Sequence, residues 1–360
     1  MFQRTFVFSA LPARVLFGAG TLSNLPNEID ELGVGRALVV CTPEQSDLGD
    51  TAARMIGDRC IGVFPGAIMH VPVETARQAR VQAHDAGADC VVAIGGGSAI
   101  GLAKAIALES GIQIVAIPTT YAGSEMTPIY GITENGTKKT GRDLRVLPRA
   151  VIYDPELTLS LPTRMSATSG MNAIAHCVEA LYATNANPVT SIMAEEGIRY
   201  LARALPRIVE RPRDIDARAE CLYGAWLAGS VLATTSVALH HKLCHTLGGM
   251  LNLPHAETHT VVLPHATAYN ASAAAQAMGT IRRALESRDA AQGLFDLASQ
   301  LDVPVALKAL GVRFADLDRV ADAALAAPYP NPRPMERDAI RSLLEDAYWG
   351  CGPPAARSGA

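Results

Sequence analysis

The chain reads as a parallel α/β domain followed by an all-helical domain. Three observations carry that expectation. Short β-branched runs alternate with helical patterns over roughly the first 155 residues. One of those runs ends in a glycine-rich turn that opens a helix. After Asp154-Pro155 strand signals fade, and Ala/Leu-rich stretches with 3.6-residue periodicity take over. The expected domains are 1–157 and 158–360.

The strands follow in order. Residues 37–41 (ALVVC) are an apolar run after a glycine-containing turn, as a buried parallel strand requires. Residues 61–64 (IGVF), 90–94 (CVVAI) and 112–117 (IQIVAI) repeat the pattern, and Val151 begins a possible fifth strand. Helical patterns at 73–86 and 98–109 lie between them, giving a doubly wound sheet. In the second half, Asn187-Pro188 reads as an N-cap with Pro at the first helical position. That helix is expected to pass Glu195 and Glu196 and end near Ala204. Residues 328–334 (PYPNPRP) read as a loop, with a final helix from about Met335 to Tyr348 and a frayed tail after Gly350.

With 49% apolar and 18% charged residues, the 360-residue chain has the composition of a compact enzyme. A formal net charge of -4 gives no reason to expect nucleic acid as a partner. The seven cysteines are odd in number and lack CxxC spacing, which favours reduced thiols. There is no signal-peptide pattern, and no run nears the roughly 18 apolar residues of a membrane helix. A soluble cytoplasmic protein without a membrane partner is expected.

Gly95, Gly96, Gly97 and Ser98 follow an apolar strand and open a helix. Without Cβ atoms, backbone N–H groups approach an anion closely. The helix N-terminus behind them adds about half a positive charge, so a pyrophosphate fits. This is not a GxGxxG pattern, and Gly18-Ala-Gly20 reads as structural. A second loop, 118–125 (PTTYAGSE), follows the next strand. Thr119, Thr120 and Ser124 there could face phosphate or ribose, although Ser and Thr also favour turns for their own sake. No acid directly ends the first strand: Cys41-Thr42-Pro43 stands where a carboxylate often grips the adenosine 2′-hydroxyl. NADH and NADPH are therefore both expected to serve.

Five of the nine histidines crowd into 240–259: His240, His241, His245, His255 and His259. His241 and His245 are four apart, and so are Asn172 and His176, which places each pair on one helix face. His70 and His84 read as structural, and His265 is set outside the group. Convergent imidazoles suggest a divalent metal site. The position where an Asp would serve holds Asn172, a weaker and uncharged donor. Three imidazoles with a water still bind zinc, but the reading is a vestigial site, Asn172, His176, His241 and His255, with no metal required.

Together these residues resemble the iron-containing (group III) alcohol dehydrogenase family over the whole chain. The motifs are Gly95-Gly-Gly-Ser98, Pro118-Thr-Thr120 with Gly123-Ser-Glu125, and the His241/His255 pair within HHKLCHTLGGMLNLPH. The resemblance implies a dehydroquinate synthase-like fold, an α/β dinucleotide domain before a helical domain, with the metal in the cleft between them. Two departures stand out: the family's metal-ligand Asp matches Asn172, and the Asp after its glycine loop matches Gly101. With GMNAIAHCVEALYA and AIPTTYAGSEMTPIYGITE, they resemble the branch whose members reduce maleylacetate to 3-oxoadipate in bacterial aromatic degradation.

That resemblance implies a small dicarboxylate substrate. It also implies a pocket lined by His176, His241, His245, His255 and Asn172, with His241 or His245 donating a proton or polarising a ketone. A dianion calls for cations, and Lys138 in the basic stretch 138–145, read as a loop, could reach the cleft, with Arg333 a weaker choice. A homodimer is the default assembly. The alternative reading is a metal-dependent alcohol or polyol dehydrogenase.

Overall fold

The computed structural model describes residues 5–353 except 12, 135, 136 and 328, without the side chains of Thr137 and Lys138. These residues form two compact units: Leu11–Leu161, and residues 5–10 with 162–353. The expected tail beyond residue 353, together with Pro328, lies outside the described residues.

The first unit is built on eight strands and four helices. In chain order these are β1 (Arg14–Phe17), α1 (Leu25–Glu31), β2 (Ala37–Val40), α2 (Ser46–Ile56), β3 (Cys60–Phe64) and α3 (Val73–Asp85). There follow β4 (Cys90–Gly95), α4 (Gly97–Ser110), β5 (Gln113–Pro118), β6 (Ile129–Glu134), β7 (Thr137–Arg142) and β8 (Ala150–Tyr153). Six of the strands form one sheet in the order β1-β8-β5-β4-β2-β3, and every pairing is parallel. All of β2 and β4 and nearly all of β5 are buried, which is why their sequences run apolar without alternation. Val39, Val92, Ile94, Val115 and Ile117 share a core with Leu25, Ile29, Ala52 and Ile56 of α1 and α2. α4 packs on β4 and β5, and α3 packs on α4.

The chain leaves β2 toward β3 and leaves β4 in the opposite direction, toward β5. The order therefore reverses between β2 and β4, and ligands of open parallel sheets settle at that point, at the carboxyl ends of the strands.

Two features differ from the sequence reading. The four-residue edge strand β1 carries too little periodicity to be seen. The basic run at 138–145 is not a loop: β7 pairs antiparallel with β6, with Ile132 opposite Lys139 and Thr133 opposite Lys138. Its cations are partly matched locally, Lys139 by Glu134 at 2.6 Å and Arg145 by Asp143 at 2.7 Å.

The second unit is helical: α5 (Thr163–Leu181), α6 (Pro188–Glu210), α7 (Ile215–Thr234), α8 (Leu239–Leu251), α9 (His255–Asn270), α10 (Ala275–Leu285), α11 (Ala290–Gln300), α12 (Leu317–Leu325) and α13 (Arg337–Trp349). Asn187 caps α6, its Oδ1 accepting the N–H groups of Val189 and Thr190 at 3.1 Å each. α6 runs past the expected end near Ala204 to Glu210 and carries Pro206 inside it. Packing along α7 and α5 outweighs the donor that Pro206 lacks. α13 starts two residues later than expected and stops at Gly350, held at φ +70°.

No single helix among the described residues is long and apolar enough to cross a membrane; the pair α7 and α8, bent by 94°, passes by length and composition alone. All seven cysteines are free thiols.

Candidate active site

Each unit holds one group of functional side chains. In the first, β4 delivers Gly95, Gly96 and Gly97 to the N-terminus of α4. Gly95 sits at φ +145°, and a Cβ there would lie 2.8 Å from Gln45 Oε1. A Cβ at Gly96 would lie 2.9 Å from Thr120 Cγ2. Gly97 is exposed, with open space where its Cβ would be, and no side chain caps the helix. The first N–H groups of α4 are thus left for a ligand.

Thr119 N–H donates to Gly95 O at 3.1 Å, which joins the second loop to the first. Thr119 is buried and its hydroxyl accepts from Gln45 Nε2 at 2.9 Å, while Thr120, Ser98 and Ser124 are half-buried. Lys138's side chain lies outside the described residues.

Lys104, on α4, is buried, and its Nζ donates to Ser124 O at 2.7 Å, Thr127 O at 2.8 Å and Ile129 O at 2.8 Å. Burial draws its ammonium down to about 7, with the Glu125 carboxylate opposing. Burial pushes the Glu125 carboxyl up, and Tyr153 Oη donates to it at 2.8 Å.

The second group is built from three helices. α5 is buried continuously over 166–180 and presents Asn172, His176 and Glu179 at i, i+4 and i+7, on one face. α8 brings His240, His241, Cys244 and His245, and α9 brings His255 and His259. Glu179 organises them. α8 has no side-chain cap of its own. Glu179 supplies one from α5, accepting from Ala238 N at 2.6 Å and His240 N at 2.7 Å. Its negative charge sits against the positive end of the helix. The same carboxylate accepts from His241 Nδ1 at 2.7 Å.

That contact orders the hydrogen bonds along the row. With Nδ1–H of His241 turned to Glu179, its Nε2 is an acceptor, and His176 Nδ1 lies 2.9 Å from it. His176 Nε2 is then the acceptor facing Asn172 Nδ2 at 3.4 Å. A relay runs from buried carboxylate through two imidazoles to an amide. Asn172 Oδ1, also buried, has no hydrogen-bond partner.

The other imidazoles surround this row. His245 and His255 are exposed, their rings nearly parallel with centroids 6.3 Å apart. His245 lies 6.0 Å from His241, and His255 lies 4.2 Å from His259. Behind them, His240 Nε2 and His259 Nδ1 are hydrogen-bonded at 3.0 Å, with Cys244 Sγ at 3.7 Å from His240 Nε2. Burial, reinforced by the neighbouring imidazoles, holds His240 and His259 well below the usual imidazole range, so both are neutral.

A dication at Asn172, His176, His241 and His255 does not fit the donors as arranged. The Nε2 lone pair of His241 faces a hydrogen-bond donor, His176 Nδ1, and Asn172 contributes no charge. The carboxylate of the row, Glu179, is committed to α8 and to His241.

The structure gathers Asn172, His176, His241, His245 and His255 in one unit. It places Arg333 on Tyr269, with its guanidinium 4.3 Å from the ring centroid. The sequence reading missed Glu179, His240 and His259 as participants. A Glu three residues beyond His176, inside the otherwise apolar run 177–181 (CVEAL), was the available signal for the first.

A parallel α/β unit with an anion-binding glycine turn, and a helical unit carrying an imidazole cluster, define a dinucleotide-linked oxidoreductase. The chain belongs to the iron-containing alcohol dehydrogenase family: residues 12–155 match iron-containing alcohol dehydrogenase, and residues 166–348 match the C-terminal part of the Fe-containing alcohol dehydrogenase family. It is 61% identical to a maleylacetate reductase of Burkholderia cepacia, over 98% of this chain and 100% of that one. It is 57% identical to a maleylacetate reductase of Pseudomonas sp. (strain P51), over 97% and 99%. Among solved structures, it is similar to a maleylacetate reductase from Agrobacterium tumefaciens with a TM-score of 0.95 and 51% identity, covering 98% of this chain and 100% of that one. A putative alcohol dehydrogenase from Ralstonia eutropha JMP134 superposes with a TM-score of 0.96 at 60% identity, with the same coverage.

Proposed function

We propose that this chain is a maleylacetate reductase that uses NADH or NADPH and needs no metal. The observation that carries the reading is the row Glu179–His241–His176–Asn172, in a chain 61% identical to a reductase of that name.

The chemistry suits the residues. Maleylacetate holds an alkene conjugated to a ketone. Hydride from the nicotinamide adds to the alkene carbon that bears the carboxylate. The electron pair moves onto the ketone oxygen as an enolate, and a proton then reaches the other alkene carbon, giving 3-oxoadipate. Alcohol oxidation concentrates charge on one oxygen and calls for a Lewis acid. An enolate spreads its charge, and imidazole N–H donors stabilise it.

In this reading the exposed His245 donates to the ketone oxygen or delivers the proton, and His241, both of whose ring nitrogens are held in the row, acts through it. His176 and His255 line the pocket, and Asn172 hydrogen-bonds a carboxylate or the ketone. Glu179 fixes His241 in the tautomer that the row requires and stabilises it when it carries charge. Gly95, Gly96, Gly97, Ser98, Thr119, Thr120, Ser124 and Lys138 serve the cofactor. Since Thr42 after β2 places no carboxylate against a 2′-phosphate, both nucleotides are accepted. We further propose a cytoplasmic homodimer.

Steady-state oxidation of NADH and of NADPH with freshly prepared maleylacetate tests this. Turnover with both, kcat/KM differing by less than about a hundredfold, is expected. Turnover with neither, together with Fe²⁺-stimulated oxidation of a primary alcohol, would favour a metal-dependent alcohol dehydrogenase instead.

A further inference from the structure

The stretch between β5 and β6 carries three of the proposed cofactor contacts, Thr119, Thr120 and Ser124, yet it belongs to no sheet. Its carbonyls have no ladder to join, and buried carbonyls need partners. Its beginning is tied to the glycine turn, through Thr119 N and Gly95 O at 3.1 Å. Its end is tied by Asp143 N–H to Pro128 O at 2.9 Å, by Tyr153 Oη to Glu125 at 2.8 Å and, through the largest number of bonds, by one side chain on α4. Lys104 Nζ has three protons, and three carbonyls stand around it: Ser124 at 2.7 Å, Thr127 at 2.8 Å and Ile129 at 2.8 Å. Thr127 Oγ1 at 3.0 Å and Ser124 Oγ at 3.3 Å complete a shell of five oxygens. No carboxylate touches the ammonium among the described residues. Its charge is balanced by carbonyl dipoles and, at longer range, by buried Glu125. Lys104 stands two turns beyond Gly97 on α4. One helix, α4, therefore carries both the anion-binding terminus and the clamp on the 124–129 segment.

We propose that Lys104 is a positioning residue of the dinucleotide site, whose ammonium sets the spacing between the glycine turn and the 119–129 segment that NAD(P)H binding needs. The inference rests on the dinucleotide reading of this unit. A merely structural lysine would lower stability when removed, while the folded fraction bound nucleotide normally. A positioning lysine changes the affinity of the folded protein.

The test is NADH binding, followed by nucleotide fluorescence, with the full-length Lys104→Met variant at a temperature where circular dichroism shows it folded. Kd for NADH is expected to rise at least about tenfold, and KM for NADH with it, while kcat at saturating NADH falls by less than about threefold. Folded Lys104→Met protein with the wild-type Kd overturns the inference. If that variant does not fold, Thr127→Val decides, since it removes one hydroxyl from the shell and leaves the carbonyls. NADH binding weakened by about threefold, with faster amide exchange over 123–129, supports the clamp; no change in either overturns it. Wild-type protein that binds neither NADH nor NADPH would overturn the dinucleotide reading itself.

Discussion

In the proposed reaction, Glu179 and His241 are the pair on which the chemistry turns. His241→Ala removes the middle of the relay and is expected to lower kcat/KM for maleylacetate at least about a hundredfold, while costing about 1–3 kcal/mol of stability through the buried hydrogen bonds it made. A loss of tenfold or less would take His241 out of the catalytic set. Glu179→Gln keeps the shape but turns one acceptor into a donor aimed at backbone N–H groups or at His241. It is expected to lower kcat by at least about tenfold, and to cost about 1–2 kcal/mol of stability through the lost cap of α8. Unfolding and turnover of the same preparation separate the two effects; wild-type kcat would refute the relay. His176 and His241 were legible in the sequence because four-residue spacing forces side chains onto one face. Glu179 was not, because its partners lie 59 to 62 residues away and nothing local marks them.

At the scale of elements, Gly101 marks a close approach between α4 and the segment before α3. A Cβ at Gly101 would stand 2.9 Å from Val71 Cγ2, and Val71 is itself held at φ +47°, unusual for a β-branched residue. Val71 O accepts from Thr133 N at 3.0 Å, which docks hairpin β6–β7 on this segment. In an ordinary helix interior, Gly→Ala stabilises by about 1 kcal/mol. Here Gly101→Ala is expected to destabilise by about 1–3 kcal/mol in urea unfolding, because Val71 cannot retreat. A stabilised variant would show that the contact yields freely.

The central strands were legible because burial on both faces writes an uninterrupted apolar run. Edge strand β1 and hairpin β6–β7 were not. β1 is four residues long, and the positive charge of 138–145 masked its pairing. The Asn135-Gly136 dipeptide between the two six-residue runs was the hairpin signal in the sequence.

For the whole molecule, buried imidazoles set the response to acid. His265 is 3% exposed, and burial lowers it to about 4. Between its ordinary value near 6.5 and about 4, the unfolded chain binds a proton that the fold refuses, so stability falls as pH drops through that window. This one group accounts for about 2 kcal/mol of loss between pH 7 and pH 5, and His240 and His259 act in the same direction. Urea unfolding of His265→Leu against wild type at both pH values is expected to show a shallower loss in the variant; equal slopes would assign the acid response elsewhere.

The two-part organisation was legible from the change of period near residue 155, while the grouping of residues 5–10 with the helical unit had no local signature. The central claim is that a hydrogen-bonded imidazole row replaces a metal. The most direct measurement is the rate of maleylacetate reduction by NADH after exhaustive chelation, with metal content measured on the same sample. Undiminished kcat in metal-free protein is the predicted result. Activity lost on chelation and restored by Fe²⁺ or Zn²⁺ would contradict it.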